Sequence, residues 1–352
     1  MNAIVEFDVG TDFDTDVLSA IIEMNRTSQN AKVTEVYGSL RTGVLNLPSA
    51  RPDFRLSTCT KLEFEKYVAF ARRNGIAVNY AVNSPFSSSI DAYHEQIEEI
   101  ASLLKYLENV GVERIIVSNP LLMEIASEYT NLKLKISTIQ GVNRASAIKY
   151  YAAYNVDRIC PDIYVNRNIP LLQSMSTEAE KHGMGLELLA NEICLFGDTP
   201  CSNTLRSACY SHSSLGGNPN SLFNNWPFER CQTERKRHPV CWLKIPYILP
   251  QYVAYYQEQA GIRHFKISGR TNTHEYLLKT VRCYMEMDFR GKIQELFMLP
   301  DNHVDFDVDV SAEQLMNCGF FDKLYSSKAC DYKCESCRFC DEYGKLLGLP
   351  TA

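Results

Sequence analysis

The sequence predicts an α/β fold, a (β/α)8 TIM-like barrel over residues 1–290, and three observations predict it. Short β-branched runs alternate with longer stretches whose apolar residues recur at helical spacing. The alternation repeats until eight such runs have passed. Several of the intervening helical patterns stop at a glycine just before the next run, which is where a helix accepts a left-handed residue. Alternation at this spacing implies a parallel sheet, and eight units imply closure into a barrel. A doubly wound open sheet shares the alternation and is the alternative.

The predicted strands, in order, are 4–9, 33–37, 77–82, 114–117, 133–137, 158–160, 185–189 and 263–268. Residues 61–73 form a helix with Phe64, Tyr67, Val68 and Ala71 on one face. Residues 92–110 form another, with Ile97, Ile100, Leu103, Leu104 and Leu107. Residues 143–154, 169–182, 250–259 and 274–287 also read as helices, and Gly75, Gly111 and Gly183 end three of the patterns. The seventh unit breaks the rhythm. Residues 194–249 are rich in Asn, Ser, Gly, Pro and Cys with poor periodicity, and a long irregular segment inside a compact domain is usually functional. It follows a strand directly, so it lies at the C-terminal face, where barrels keep their active sites. Residues 291–352 read as a C-terminal extension with a short helix at 312–318 and a cysteine-rich tail.

Composition limits the function classes. The chain has 352 residues, 45% hydrophobic and 22% charged, which fits a soluble globular protein large enough to bury a core unaided. A net charge of −6 argues against general nucleic-acid binding. The longest apolar runs are too short for a membrane span, and the acidic N-terminus lacks the basic and apolar regions of a signal peptide. A cytoplasmic location is therefore expected.

The cysteines are the anomaly. There are 13, an odd number, so complete internal pairing is impossible. In a reducing compartment, clustered thiols point to metal or redox chemistry. Cys330, Cys334, Cys337 and Cys340 lie within eleven residues. This spacing suits thiolate ligation of an iron–sulfur cluster, with zinc as the alternative. Zinc sites favour two pairs separated by a longer loop. The run also matches the radical-SAM spacing, but that motif follows an early barrel strand and this one lies at the chain end. Cys318 is a candidate to complete the tail set. Cys194, Cys201, Cys209, Cys231 and Cys241 form an inner group just after strand seven. Four of them, Cys194, Cys201, Cys231 and Cys241, are the expected ligands of a [4Fe-4S] cluster at the barrel mouth, with Cys209 as the surplus. Cys59, Cys160 and Cys283 read as core thiols. Lys266 and Arg270, at the end of strand eight, suit an anionic carboxylate or phosphate, or else a structural ion pair with Glu187 on strand seven. The run Arg235-Lys236-Arg237 reads as a solvated loop.

The segment Phe265-Lys266-Ile267-Ser268-Gly269-Arg270, followed by Glu275-Tyr276 and Tyr284, resembles the Lys-Ile-Glu-Gly-Arg signature of the U32 peptidase family. Ser137-Thr138-Ile139-Gln140, Asn143 and the cysteine-bearing loop after strand seven are similar to the same family, and the likeness spans roughly residues 60–290. Ser268 stands where the family has Glu, and Asn191-Glu192 where it has His-Gly. The resemblance implies an iron–sulfur TIM barrel related to oxygen-independent hydroxylases of ubiquinone biosynthesis and RNA bases, with prephenate as oxygen donor. It also implies a heterodimer with another family member as a possible assembly. The sequence lacks His-Glu-x-x-His and Gly-x-Ser-x-Gly, so the peptidase label finds little support. Two function classes remain open. One is an iron–sulfur redox or hydroxylation enzyme acting on a small anionic, aromatic or peptide substrate. The other is a non-catalytic electron-transfer or scaffold partner. A peptidase is third.

Overall fold

The computed structural model describes residues 4–84, 90–195, 214, 226–270, 272–297, 309–327 and 330–350. Eight parallel strands close into a barrel in sequential order, and β1 pairs with both β2 and β8. They are β1 Val5–Gly10, β2 Ala31–Gly38, β3 Ala77–Val82, β4 Arg114–Val117, β5 Lys133–Ile136, β6 Val156–Ile159, β7 Gly185–Leu189 and β8 His264–Ile267. Closure excludes the open sheet.

The main crossover helices are α1 Thr15–Thr27, α2 Lys61–Arg73, α3 Ile90–Val110 and α4 Pro120–Tyr129. They are followed by a short α5 Ala145–Ile148 and by α6 Ile169–Lys181. Local chemistry sets their ends. Asp14 caps α1 by accepting from the amides of Asp16 and Val17. Thr60 and Glu63 form a reciprocal capping box on α2. Asn119 and Pro120 start α4. Gly75 and Gly183 end α2 and α6 with φ of +73° and +70°, a backbone that glycine adopts without a Cβ penalty.

Two expectations are corrected. The helix expected over 143–154 is split into α5 and a 3-10 turn, Lys149–Ala153. Its consecutive Tyr150 and Tyr151 put bulk on both faces, and only Ile148 is buried in the pair. Part of the irregular 194–249 segment is ordered as α7 Trp226–Arg237 and α8 Cys241–Lys244. α7 is strongly polar, so apolar periodicity could not reveal it. After α9 Val253–Ala260 and α10 His274–Glu286 come α11 Ala312–Asn317, α12 Phe320–Ser327, α13 Cys334–Cys337 and α14 Phe339–Leu346. Val310, Leu315, Phe320, Phe321 and Leu324 join the same apolar core as the barrel. Tyr252 lies tilted 5.1 Å from Phe321, and Tyr255 stacks on Tyr325 at 5.1 Å. Among the described residues no helix is long and apolar enough to cross a membrane.

The barrel interior is charged. Lys135, fully buried, donates to Asp8 Oδ2 at 2.8 Å, Glu35 Oε2 at 2.7 Å and Glu187 Oε1 at 2.6 Å. Arg158 donates to Glu35 Oε1 at 2.8 Å and Asn79 to Glu35 Oε2 at 2.7 Å. The register shifts of the barrel fall between Phe7 and Asp8 and between Leu134 and Lys135, at two members of this hub. A bulge re-aims a side chain, and here both bulges serve the same contact. Burial pushes the Glu35 carboxyl up, but Lys135, Arg158 and Arg114 outweigh it and hold it well below the usual range. Burial also pushes Glu187 up, and its single lysine contact does not bring it back. Three carboxylate oxygens within 4.8 Å of one another resemble a metal site. The Lys135 ammonium already takes the position a cation would occupy.

Replacing Lys135 with Met leaves three carboxylates buried around an apolar chain. Unfolding in urea at pH 7 should show a loss of about 3–5 kcal/mol. The loss should shrink at low pH, where protonation relieves the carboxylates. In the unsubstituted protein the Glu35 contribution is complete above the ordinary glutamate value of 4.5 and is lost as pH falls through its lower folded value. A variant as stable as the parent at pH 7 would refute the hub.

Candidate functional site

The C-terminal mouth of the barrel carries the chemistry. The ends of β7 and β8 are tied by Asn191. Its Oδ1 accepts from the Ser268 amide at 2.8 Å and the Ser268 hydroxyl at 3.1 Å, and its Nδ2 donates to the Ser268 carbonyl at 3.0 Å. The two departures from the family pattern therefore meet in space.

Lys266 and Arg270 leave the same strand end but play different parts. Lys266 lies 3.3 Å from Asp8 Oδ2 and 3.5 Å over the Tyr37 ring, so it is a structural cation. Arg270 is held by hydroxyls: Nη1 donates to Ser39 Oγ and Nη2 to Ser49 Oγ, each at 3.1 Å. Among the described residues no carboxylate pairs with it. Glu187, expected as a partner for one of them, is bound to Lys135 instead. Ser49 also exchanges hydrogen bonds with Ser214. The Ser49 amide donates to Ser214 Oγ and the Ser214 amide to the Ser49 carbonyl, both at 2.9 Å. The segment after β7 thus reaches the loop after β2.

Cys201 and Cys209 lie outside the described residues. Cys194 packs with Cys160, Ile163, Leu189 and Tyr164 at the barrel mouth, while Cys231 and Cys241 are buried in the main core. Among the described residues these three sulfurs do not form a ligand set within 4.8 Å of one another, and one side chain links the segments that carry them. Arg235, one turn after Cys231 on α7, donates to the Ile193 carbonyl beside Cys194. Its guanidinium also lies 5.5 Å from the ring of Trp242, which follows Cys241. The run Arg235–Arg237 is therefore not a solvated loop but the last turn of a helix, with Arg235 only 2% exposed. Arg235 Nε, Arg235 Nη1 and Gln232 Nε2 are buried without an acceptor among the described residues. A buried donor of this kind calls for a partner, which a bound group or a water supplies.

The tail repeats the pattern. The Cys330 amide donates to the Arg167 carbonyl at 3.3 Å, the Cys340 thiol to the Leu243 carbonyl at 3.6 Å, and Lys244 pairs with Asp341 at 3.0 Å. Arg167 is buried, donates to the carbonyls of Leu243 and Ile245, and leaves its Nε without an acceptor. Among the described residues no carboxylate pairs with it. Burial pushes the Cys340 thiol up to about 12; Arg167 opposes this, and the nearby Cys330 and Cys334 thiols add to it. Burial likewise raises Cys330, against Arg167, with Cys337 adding to it. Arg167 is thus the neighbour of Cys330 and Cys340, while Cys337 acts on Cys330 and Cys334 on Cys340; among the described residues the four sulfurs do not form a ligand set within 4.8 Å of one another. Cys334 and Cys337 lie on α13, with Cys337 exposed. Cys318 instead donates to Leu315 within its own helix region. Cys59 and Cys283 are half-buried at the edge of the core.

Asp8, Glu35, Lys135, Arg167 and Arg51 carry no sequence signal that sets them apart. Lys135 sits in an alternating strand, Lys-Leu-Lys-Ile, whose inward lysine was the available hint.

Residues 26–192 match the family model described as Peptidase family U32. The chain is 24% identical over 290 residues to "Uncharacterized protease MJ1657" of Methanocaldococcus jannaschii, over 81% of this chain and 82% of that protein. Among solved structures, the U32 peptidase Mk0906 is similar with a TM-score of 0.47 and 13% identity, over 76% of this chain and 94% of that one. A GH18 chitinase from Pseudoalteromonas aurantia is similar with a TM-score of 0.39 and 9% identity, over 79% and 98% respectively.

Thiol reactivity should follow this geometry. Burial, with Glu187 adding to it, pushes Cys160 up to about 12. At pH 8 roughly one part in ten thousand is thiolate, the reactive form. In native, metal-free protein, iodoacetamide at pH 8 should label the exposed Cys337 and leave Cys160 unmodified until the chain is denatured. Peptide mass spectrometry reads the order, and equal labelling rates would contradict it.

Proposed function

Taking the chain as a divergent U32-like barrel, we propose that it is an iron–sulfur protein of redox type acting on a small anionic substrate at the barrel mouth. The observation that carries this reading is the set of three buried donors without acceptors on Gln232 and Arg235, next to Cys231 and the Ile193–Cys194 backbone. A cluster with four thiolate ligands is negatively charged, and its sulfurs accept N–H bonds that tune its potential. Cys194, Cys231 and Cys241 would hold it, with Cys201 as the fourth ligand. When bound, the cluster supplies one-electron chemistry. The chain's own residues do the rest. Arg235 balances charge and orients the ligand-bearing segments. Asn191 fixes the end of β7 against β8. The apolar packing of Cys194 against Ile163, Leu189 and Tyr164 limits water. Arg270 offers the anion contact.

The tail supports a second centre on Cys330, Cys334, Cys337 and Cys340, iron–sulfur or zinc, with Arg167 as its buried countercharge. An unpaired buried guanidinium is costly unless an anion compensates it, and ligated thiolates are anions whatever the metal. The word protease in the relative's name fits the described mouth less well. Cys160, at the end of β6, is pushed up to about 12 by burial and is held protonated.

Anaerobic purification followed by iron, sulfide and zinc analysis tests the proposal. Roughly four iron atoms and a visible charge-transfer band are expected for the inner centre. Cys194→Ser with Cys231→Ser should remove them. Cys334→Ser with Cys337→Ser should lower only the remaining metal. Iron-free protein, or iron unchanged in the first variant, would sink the cluster reading.

A further inference from the structure

The mouth carries two guanidinium groups, on Arg270 and Arg51, that pair with no carboxylate among the described residues. Arg270 follows Gly269, whose φ of +146° lets the chain double back from the end of β8. The guanidinium is then fixed by Ser39 after β2 and Ser49 in the next loop. Ser39 and Ser49 are buried and lie 3.2 Å apart, so the anchor is rigid. Two bonds use two of the five N–H donors an arginine carries. Arg51, two residues beyond Ser49, donates to the Ala50 carbonyl at 3.0 Å. Among the described residues neither arginine pairs with a carboxylate. Asp8, in the barrel below, is committed to Lys135 and Lys266. Burial lowers Arg270 to about 10, and the Arg51 charge adds to this. Like charges gathered without compensation are unfavourable unless an anion is drawn between them.

The backbone is opened at the same place. A Cβ on Gly10, at the end of β1, would meet Tyr37 Cζ and Oη at 3.0 Å and the Arg270 amide nitrogen at 3.4 Å. Glycine there lets the Tyr37 ring, with Lys266 on its face, form the wall beside Arg270.

We infer that Arg270 and Arg51 form the receptor for the oxyanion group of a small ligand, a carboxylate or phosphate, at the mouth between β8 and the loop after β2. The planar Arg270 fork, pre-set by two serines, grips two oxygens. The more exposed Arg51 closes on the same group and sets its charge. This deepens the proposed function, since it gives the anionic substrate its anchor, but it requires no metal.

The test uses the full chain in low-salt buffer, titrated calorimetrically with two probes, malonate and inorganic phosphate. Binding of either by the unsubstituted protein is expected, and the tighter probe identifies the head group. Arg270→Gln and Arg51→Gln should each weaken it about tenfold or more, the loss of one charge-assisted contact. Arg270→Lys should weaken malonate too, because the charge remains but the fork is gone. Arg51 is exposed, so its variant keeps the test sound if an Arg270 variant fails to fold. No binding of either probe, or an Arg51→Gln affinity equal to that of the parent, overturns the inference. Iron-loaded protein that binds neither probe defeats this site alone, and iron-free protein that binds one defeats the cluster alone.

Discussion

A lysine ammonium enclosed by three carboxylates, drawn from β1, β2 and β7, is the constraint on which the barrel depends. Removing four ionised groups from water is expensive, and the expense is recovered only when every contact is short and the set is complete. Lys135 supplies three bonds of 2.6–2.8 Å, while Asp8 Oδ1 and Glu187 Oε2 have no partner among the described residues. An apolar barrel interior tolerates small shifts, because dispersion contacts are non-directional. A charged one does not. The register shifts leave Thr34 of β2 and Asp157 of β6 out of the pairing, opposite Asp8 and Lys135, so both fall at members of the hub. The hub lies directly beneath the mouth, with Asp8 shared between Lys135 and Lys266. Above this floor, Arg270 and Arg51 carry positive charge that no carboxylate among the described residues meets.

Local signals made much of this legible. The strands are short, mostly apolar runs of the length a buried parallel strand needs, and their order follows from alternation. Helix ends were readable at Gly75, Gly111 and Gly183 because one residue decides the backbone there. Where the signal was not local, the reading failed. The 143–154 helix broke because two bulky tyrosines competed with the helical period. α7 was missed because its residues are held by contacts of Arg235 rather than by an apolar stripe.

The candidate site divides in the same way. Cysteines declare themselves, because their clustering within eleven residues of the tail, or after one strand, is a sequence fact. The arginines beside them do not. Arg167 precedes Cys330 by more than a hundred and fifty residues, and nothing in its surroundings marks it as buried. Lys266 and Arg270, four residues apart, looked equivalent. Only the positions of Asp8 and of Ser39 and Ser49 separate a structural cation from an available one. The substitutions at Asn191 and Ser268, which read as two departures, are a single one in space. Each residue supplies the hydrogen-bond partner the other requires.

Ser49 has two obligations. It holds Arg270 through its hydroxyl and Ser214 through its backbone. Ser214 belongs to the segment that also carries Cys201 and Cys209. The loop after β2 therefore has one residue that answers both to the arginine at the end of β8 and to a residue of the segment after β7, so a change at Ser49 is felt by both strand ends at once.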